Sequence, residues 1–364
     1  MRSALVVAWT VIGVAALSGA AVAQSQPTPG LPSQPFGAAA QAQNGGAGPQ
    51  VTYQYGMEFV TVQGGTNNYP GGGPQDVPGI SFAIGRGAVD HDYRISRYEV
   101  GASSWSAFYA AADAVAAQTG QQLPFITRGG NLSGSGQYGR VGNISWRTAA
   151  MYCNWLCNGQ AVTRDAFMNG AYDVSTFGFG NGGETDQLVH NPGAQFWIPT
   201  LDEWVRAAHY DPNRNGPGQD GWWQFSISRD TNAIPGLPRW GGEANAGFST
   251  PNLEEFTVPL GAYANVQSPW GLFDTIGQTT EWLEEPFYAF AGQLPTGRLQ
   301  AGAYITGPGA DIVWGTIGAS IGQSDPLDDA YWMGFRIAAA VPSPAPATLL
   351  AVCATSASRR RRRA

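Results

Sequence analysis

Apolar residues recur at helical spacing in three segments of the chain, and each segment begins near a residue that can cap a helix. Such a period predicts an amphipathic helix with one buried face. The first helix follows Ser103/Ser104, the second follows Ser145, and the third opens at Thr200, where Glu203 completes a capping box. The residues expected on the buried faces are Trp105, Phe108, Ala112 and Val115; Ala149, Tyr152, Cys153 and Leu156; and Trp204, Ala207 and Ala208.

Between these helices, the pattern changes to short alternating runs and long polar stretches. Residues 57–62 and 335–338 alternate in a way that predicts strands. Stretches rich in Gly, Asn and Pro at 67–79, 177–193 and 211–221 predict loops. Few regular elements surround many aromatic residues, and no second linker interrupts residues 51–341. We therefore expect one α+β domain with little regular secondary structure.

Composition narrows the possible chemistry. Gly (50) and Pro (25) make up about a fifth of the 364 residues, which argues against a helical bundle or a long coiled coil. All 19 basic residues are Arg. Without Lys, Schiff-base chemistry, anchoring of pyridoxal phosphate and a Walker-A phosphate loop are excluded. The three His (91, 190 and 209) are too far apart in sequence for a helix-borne zinc motif.

Charge is distributed unevenly along the chain. Six of the Arg are Arg2 and the C-terminal run 359–363, so 13 Arg face 26 acidic residues in between. A nucleic-acid-binding protein needs a basic face, and we expect no nucleic acid as partner. The acidic balance suits cation binding, and it equally suits a plain soluble surface.

The N-terminal 50 residues contain two segments outside the domain. Residues 1–23 have a positive start at Arg2, an apolar stretch, and the small-residue site Ala21-Val22-Ala23. This arrangement predicts a secretory signal peptide, with an N-terminal membrane anchor as the alternative. Residues 24–50 are uncharged and rich in Pro, Gly, Ala and Gln, which predicts a flexible linker. The signal implies an exported protein and a signal peptidase as a partner.

Residues 342–364 combine a Pro-rich hinge, a short apolar segment and five Arg. They resemble the PEP-CTERM sorting signal of Gram-negative bacteria, which exosortase-type peptidases recognise and cleave. The resemblance implies a periplasmic, outer-surface or extracellular protein that meets the membrane only transiently through this tail. The apolar segment, 347–358, is roughly 18 Å long as a helix against a hydrocarbon core of about 30 Å. A basic disordered tail is the alternative interpretation.

Four segments, in order, carry a resemblance to a known family. They are 93–100 (YRISRYEV), 143–156 (NISWRTAAMYCNWL), 198–208 (IPTLDEWVRAA) and 270–282 (WGLFDTIGQTTEW), with 334–336 (GFR) closing the domain. Together they resemble the formylglycine-generating enzyme (sulfatase-modifying factor) family. The resemblance covers most of residues 51–341. It implies a variant of the C-type lectin fold.

The same resemblance implies a site that differs from that of the enzymes. Family members oxidise a sulfatase cysteine to formylglycine with two cysteines, five apart, that bind copper. The corresponding positions here are Thr306 and Asp311, a family Ser is Ala303, and a family Trp is Thr280. No Cys lies between Cys157 and Cys353. We therefore expect no copper and a non-catalytic domain, the alternative being a formylglycine-generating oxidoreductase with a divergent site.

The remaining cysteines of the domain, Cys153 and Cys157, are four residues apart on the second predicted helix. Residues at this spacing share a helix face, so two thiolates could bind a metal there. Free Cys also behaves as a small buried hydrophobe. We expect these two residues to belong to the core.

Calcium is the cofactor that the resemblance retains. The matching ligands are the side chains of Asp274 and Glu281 and the carbonyls of Gly277 and Thr279. Carboxylates and backbone carbonyls of a loop are the ligands that calcium prefers. A weaker second site would use Asn245 and the Ala246 carbonyl, its remaining acid being sought among Asn252, Glu254 and Glu255. We expect a structural ion at the first site.

Two function classes remain open beside an oxidoreductase. A binding or structural module of the cell envelope would use the scaffold to contact an envelope polysaccharide or a surface protein. A hydrolase would use paired carboxylates such as Glu254/Glu255 or Glu284/Glu285, whose separation in space the sequence does not define. We favour the binding or structural module.

Overall fold

The computed structural model describes residues 49–78, 81–126, 138–302 and 315–342, and the backbone of residues 132–133. The predicted signal peptide (1–23), most of the linker (24–50) and all but residue 342 of the sorting tail (342–364) lie outside the described residues. So do Ala303, Thr306 and Asp311. Among the described helices, none has the length and apolar character that crossing a membrane requires.

Local capping chemistry explains where the helices begin. The described residues form four α-helices: α1 (Ala102–Thr119), α2 (Trp146–Cys157), α3 (Arg164–Met168) and α4 (Leu201–His209). Ser145 caps α2, and the box of Thr200 and Glu203 caps α4, both as predicted. The first helix starts earlier than expected, because Gly101 in extended conformation serves as its N-cap without a side-chain bond. The two serines therefore lie inside its first turn.

Short strands form the rest of the regular structure, together with three 3₁₀-helices. The strands are β1 (Val51–Gln54), β2 (Met57–Val62), β3 (Tyr93–Ser96), β4 (Leu132–Ser133), β5 (Arg140–Val141), β6 (Phe179–Gly180), β7 (Gly183–Glu184), β8 (Phe196–Trp197), β9 (Tyr210–Asp211), β10 (Gly221–Trp222), β11 (Thr280–Phe287), β12 (Gly297–Ala301), β13 (Ile321–Ser324), β14 (Met333–Gly334) and β15 (Ala338–Ala340). The 3₁₀-helices are Val174–Thr176, Pro238–Trp240 and Glu254–Thr257. This mixture confirms the α+β class with little regular structure.

Two larger sheets organise the domain. The first has the order β1–β2–β3–β15–β8, with antiparallel neighbours throughout. The second has the order β13–β12–β11–β14, in which only the β11–β14 pair is parallel. The predicted strand at 57–62 is confirmed as β2. The predicted strand at 335–338 is wrong except at its last residue, because Phe335 and Ile337 bond to Val100 and Ser96 outside a ladder.

The main core lies where α1 and α2 pack together and against the first sheet. Trp105 and Phe108 of α1 stack at 5.2 Å, and both contact Tyr152 of α2. Phe335 meets Trp105 edge-on at 5.9 Å. The predicted apolar face of α1 is buried in full, together with Ala102 and Ala111. Each such large side chain contributes about 1.5–3 kcal/mol through burial.

A second core cluster positions the N-terminus of α4. Leu201, Trp204 and Val205 pack with Leu283 of β11 and Leu299 of β12, and all are buried. The helix is thus attached to the second sheet by its apolar face. Its first turn, with Asp202 and Glu203, remains beside the loop that precedes β3. This placement brings together side chains from four separate segments of the chain.

Candidate functional site

The two cysteines of the domain lie on α2 and belong to its packing. Cys153 is fully buried, and the Cys157 thiol donates to the carbonyl oxygen of Phe196 at 3.3 Å. Burial raises the pKa of both thiols above their usual range. Because a soft metal binds the thiolate form, these protonated thiols are poor metal ligands. Their environment is that of core residues.

The predicted calcium loop, residues 274–281, is built around strained and buried positions. Asp274 has a left-handed backbone with φ of 61°, and its carboxylate accepts the N–H of Gly261 at 2.6 Å. Burial raises the pKa of Asp274 to about 7. Gly277 has a φ of 96°, and a Cβ there would lie 2.3 Å from Oδ1 of Asn245. Only glycine fits this close approach.

Glu281 is committed to a buried ion pair with Arg336. Arg336 donates through Nε and a terminal nitrogen to the two carboxylate oxygens, and both side chains are almost completely buried. Trp204 of α4 adds a hydrogen bond of 2.7 Å to Oε2. A carboxylate oxygen offers two lone pairs, so Oε2 is saturated and only Oε1 retains one for a cation. Glu281 thus lies in the predicted loop, and its strongest contact is the ion pair with Arg336.

Glu99 is a buried carboxylate beside this loop that sequence reasoning missed. Its Oε1 accepts the N–H of Thr279 at 3.0 Å. Its Oε2 and the Thr279 hydroxyl have no hydrogen-bond partner among the described residues. Burial, with the charges of Glu281 and Asp274, raises the pKa of Glu99 well above its usual range. An unpartnered buried carboxylate is costly, and a bound cation would relieve that cost.

The oxygen-only donors around Asp274 therefore fit calcium better than a transition metal. Within the described part of the chain, no three His, Cys, Asp or Glu side chains are arranged to hold a metal ion. Calcium also takes backbone carbonyls, and the predicted set includes those of Gly277 and Thr279. The site would draw on the carboxylates of Asp274 and Glu281 together with these two carbonyls, and Glu99 would add negative charge beside them. Calcium at this loop remains a prediction.

Residues of the weaker second calcium site join two loops instead. Asn245 accepts the N–H of Gln278 at 2.8 Å and donates to the carbonyl of Glu255 at 2.9 Å. The carboxylate of Glu255 is bound by Thr250, and that of Glu254 pairs with Arg239. Ala246 is buried beside Asn245, and Asn252 is exposed. The amide of Asn245 thus acts as a clamp that fixes the first calcium loop.

Glu284 and Glu285, the candidate hydrolase pair, lie in β11 where its pairing with β12 shifts register between Trp282 and Pro286. Glu284 is buried and accepts bonds from Tyr172 and His190. Glu285 accepts from Arg86 at 2.8 Å and from the N–H of Leu201. Burial raises the pKa of Glu285 to about 7. The two carboxylates therefore have separate partners within the protein.

A pocket of about 450 Å³ opens at the start of α4, and we call it the α4 pocket. Sequence reasoning did not identify it, because its walls come from distant segments. Residues 65–66 and 88–91 form one side, His190 another, and the first turn of α4 with Glu285 the third. The pocket contains two of the three histidines of the chain. Acidic side chains and histidines therefore both line this surface pocket.

Most carboxylates of the α4 pocket already have partners. Arg86 forms a two-pronged contact with Asp202, at 2.9 and 2.8 Å, and also reaches Glu285. The N–H of Gly87 adds a third donor to Asp202 at 2.6 Å. Glu203 is different, since Trp197 and the N–H of Thr200 bind mainly its Oε2, at 3.0 and 2.8 Å. Its Oε1 accepts a longer bond from Trp197 at 3.3 Å and lies 3.7 Å from Nε2 of His91.

Both pocket histidines are held by carboxylates through Nδ1. In His91 this nitrogen lies 2.8 Å from Asp90, and in His190 it lies 2.9 Å from Glu284. The carboxylate of Glu203, and to a smaller extent Asp90, raises the pKa of His91 to about 9. Burial opposes protonation of His190, but Glu284 outweighs it and its pKa is also raised. In His91 the other ring nitrogen, Nε2, faces Glu203 at 3.7 Å.

Comparison with known proteins identifies the family and describes structural neighbours. Residues 48–341 match the profile of the sulfatase-modifying factor enzyme 1-like domain. Among the solved structures with a similar arrangement, CarF is 21% identical, with a TM-score of 0.47 over 79% of this chain and 99% of CarF. Treponema denticola variable protein 1 is 16% identical, with a TM-score of 0.46 over 80% of this chain and 99% of that protein. PvdO from Pseudomonas aeruginosa is 17% identical, with a TM-score of 0.45 over 81% of this chain and 100% of PvdO. No curated protein matches the sequence. The profile confirms the family that the four sequence segments predict, with its α+β, C-type-lectin-like fold.

Proposed function

The chain belongs to the sulfatase-modifying factor family, and from that premise we propose that it is an exported cell-envelope protein whose domain binds a partner instead of oxidising one. The domain acts as a binding or structural surface module. Its partner is an envelope polysaccharide or a surface protein. The alternative is a formylglycine-generating oxidoreductase with a divergent site.

The state of the thiols is the observation that carries this proposal. Copper chemistry of this family needs a thiolate pair, and the sequence has no Cys between Cys157 and Cys353. The two thiols of the domain are buried or half-buried on α2, and their pKa values are raised. A protonated thiol in a packed core is not a soft ligand for Cu(I). The α4 pocket offers a partner a surface lined by acidic and histidine side chains.

Calcium enters the proposal as a structural ion at residues 274–281. The support is a cluster of buried negative charge, since Glu99, Asp274 and Glu281 interact electrostatically, with Arg336 paired to Glu281 and the charge of Arg140 near Glu99. A divalent cation would offset the remaining charge. Because Trp204 of α4 bonds to Glu281, the ion would also steady the helix that builds the α4 pocket.

Export and sorting form the second part of the proposal. The support is the apolar N-terminal segment 1–23 with its small-residue cleavage site, and the hinge, apolar segment and Arg cluster of 342–364. Signal and sorting peptidases would act on these ends. The mature domain would then reside in the periplasm, on the outer surface or outside the cell of a Gram-negative-type bacterium.

A binding assay with the purified chain tests the proposal. We would titrate polysaccharides extracted from Gram-negative envelopes, first with calcium and then with chelator. The proposal predicts saturable binding that weakens on chelation. Binding that is insensitive to chelator would contradict the calcium part alone. No binding in either condition would contradict a polysaccharide partner and would direct the search to surface proteins.

A further inference from the structure

The chain contains five Asn-Gly pairs, a dipeptide whose asparagine side chain can react with the backbone that follows it. The pairs begin at Asn44, Asn158, Asn169, Asn181 and Asn215, and the first of them lies outside the described residues. In the reaction, the backbone nitrogen of the glycine attacks the side-chain carbonyl carbon, Cγ, of the asparagine. Glycine has no Cβ to hinder this approach. The four described pairs share one dipeptide and differ in how the structure holds them.

Two features of a folded protein slow this reaction. The asparagine side chain must rotate toward the glycine nitrogen, and hydrogen bonds of its amide have to break before it can do so. The glycine nitrogen must also lose its proton, and a hydrogen bond from its N–H to a carbonyl opposes that loss. A pair that lacks both restraints and lies at the surface should therefore react first.

Both restraints are present at two of the four pairs. The amide nitrogen of Asn158 donates to two backbone carbonyls, at 2.9 and 2.7 Å, and the N–H of Gly159 donates to another at 3.0 Å. The amide nitrogen of Asn215 donates to the carbonyl of Asp220 at 2.9 Å. The N–H of Gly216 also donates to a backbone carbonyl, at 3.0 Å. These two pairs are protected at both reacting groups.

The third pair is held by one side-chain bond and by close packing of its glycine. The amide nitrogen of Asn169 donates to the carboxylate of Asp165 at 2.6 Å. A Cβ on Gly170 would lie 2.9 Å from the Cα of Asn154, so the backbone at this point has little room to rearrange. Asn169 is exposed, and exposure alone therefore does not free its side chain.

The fourth pair, Asn181 and Gly182, forms the turn of the β6–β7 hairpin. Both residues are exposed. Within the described part of the chain, neither the amide of Asn181 nor the N–H of Gly182 has a hydrogen-bond partner. A Cβ on Gly182 would meet no atom within 4 Å, so the space around the glycine is open. Neither of the two restraints is present here.

The hairpin itself is small enough to open locally. Its strands β6 and β7 have two residues each, and among the described strands they pair only with each other. A two-stranded hairpin is at best marginally stable by itself, so this turn can open while the rest of the domain stays folded. Opening lets Asn181 leave its left-handed conformation, with φ of 30°, and bring Cγ to the nitrogen of Gly182.

We propose that Asn181 is a site of spontaneous deamidation and that it reacts first among the four described Asn-Gly pairs. The nitrogen of Gly182 bonds to Cγ of Asn181, the Cγ–Nδ2 bond breaks, and ammonia leaves with the proton of the glycine nitrogen. Water then opens the resulting cyclic imide at either carbonyl carbon, which gives aspartate or isoaspartate. Each product adds a negative charge to the hairpin tip. This modification is independent of the proposed binding function.

The test follows all four pairs in the full chain at once. The protein is incubated in mildly alkaline buffer made with heavy-oxygen water, and peptide mass spectrometry measures the heavy oxygen incorporated at each pair. We expect Asn181 to react at least about tenfold faster than the other three, because each of them has to break at least one hydrogen bond first. The same incubation in urea removes the fold, and the four rates should then converge.

A variant at a different pair serves as the matched control. Asp165→Ala removes the acceptor of the Asn169 amide and should raise the rate at Asn169, while the rate at Asn181 stays the same; a thermal melt establishes that the variant folds. Equal rates in the folded chain, or a faster reaction at any of the other three pairs, would overturn the proposal. Rates that differ as much in urea as in buffer would show that neighbouring sequence sets the order, and would also overturn it. An unchanged rate at Asn169 in Asp165→Ala would contradict the protective role of the side-chain bond.

Discussion

The loop around Asp274 and the α4 pocket both contain charged residues, but these residues differ in burial and in how closely they are paired. In the loop, Glu281 is buried and its charge is bound by Arg336 inside the protein. In the pocket, 55% of the His91 side chain is exposed, and its ion pair with Glu203 is long, at 3.7 Å. Charged residues of the same types thus stabilise the fold where other protein groups bind them. Where they retain hydrogen-bonding capacity, they can bind a ligand. One helix serves both regions, since Glu203 belongs to the pocket and Trp204 bonds to Glu281.

Breaking the Arg336–Glu281 pair should give the largest effect. Arg336→Met leaves a buried carboxylate without its partner, which typically costs about 3–5 kcal/mol. Arg239→Met removes an exposed pair with Glu254 and should cost no more than about 1 kcal/mol. Urea unfolding of both variants measures the difference. If Arg336→Met does not fold, Arg336→Lys keeps the charge, loses the two-pronged contact, and should fall between the two. Equal losses would contradict a structural role for the loop.

The third histidine, His209, is buried and has no carboxylate partner among the described residues, whereas His91 and His190 each contact a carboxylate. Burial lowers the pKa of His209 to about 4, and its Nε2 has no partner among the described residues. The unfolded chain takes up this proton near pH 6.5 and the folded one does not. Stability should therefore fall as pH drops from about 6.5 to about 4, by about 3 kcal/mol.

The variant His209→Asn places an amide nitrogen near the position of Nδ1, which lies 3.1 Å from the Trp223 carbonyl, and removes the titration. Its free energy of unfolding should change less than that of the wild type between pH 7.5 and pH 4.5. Parallel curves for the two proteins would show that His209 is not the source of acid sensitivity.

Calcium should stabilise the loop against unfolding. Variants of the pocket should gain as much stability from calcium as the wild type does. At a concentration one hundred times its dissociation constant, a bound ion adds about 2.7 kcal/mol. Asp274→Asn and Glu99→Gln should lose most of this gain, and His91→Gln should keep it. Thermal unfolding in calcium and in chelator measures the effect. An unchanged melting temperature of the wild type in calcium would contradict the ion site.

Titration of His91 should give the smallest effect, because the ring is half exposed. Its pKa is raised to about 9 in the folded protein, from an ordinary value of 6.5. A raised pKa means that protonation favours folding, so this contribution is complete below pH 6.5 and is lost as pH rises through about 9. The difference in unfolding free energy between wild type and His91→Gln should shrink over that interval. A constant difference would indicate that Glu203 does not hold the His91 charge.

Local features of the fold were predictable from the sequence because they depend on neighbouring residues. The capping box of Thr200 and Glu203 lies within four residues, and the buried face of α1 repeats every three or four. The strand predicted at 335–338 was wrong because Arg336 turns inward to Glu281, 55 residues away. An alternating pattern cannot report such a distant electrostatic partner.

The site was predictable only in part, for the same reason. The resemblance pointed to the loop from Asp274 to Glu281, where consecutive residues share one turn. The α4 pocket was missed, since His190 reaches Glu284 across 94 residues and His91 comes from another loop. Glu99 was missed as well, because a lone acid between Tyr98 and Val100 gives no sign in the sequence that it is buried. Tertiary contacts decide which polar residues become sites.

The most direct test of the central claim is an assay for aldehyde formation. The purified chain would be incubated with copper, oxygen and a sulfatase-type peptide that contains the target cysteine, and mass spectrometry would detect formylglycine. A domain whose two thiols are protonated and packed on α2 should leave the peptide cysteine unchanged, as in a reaction without protein. Formation of formylglycine would contradict the account and identify the protein as an oxidase with a different metal site.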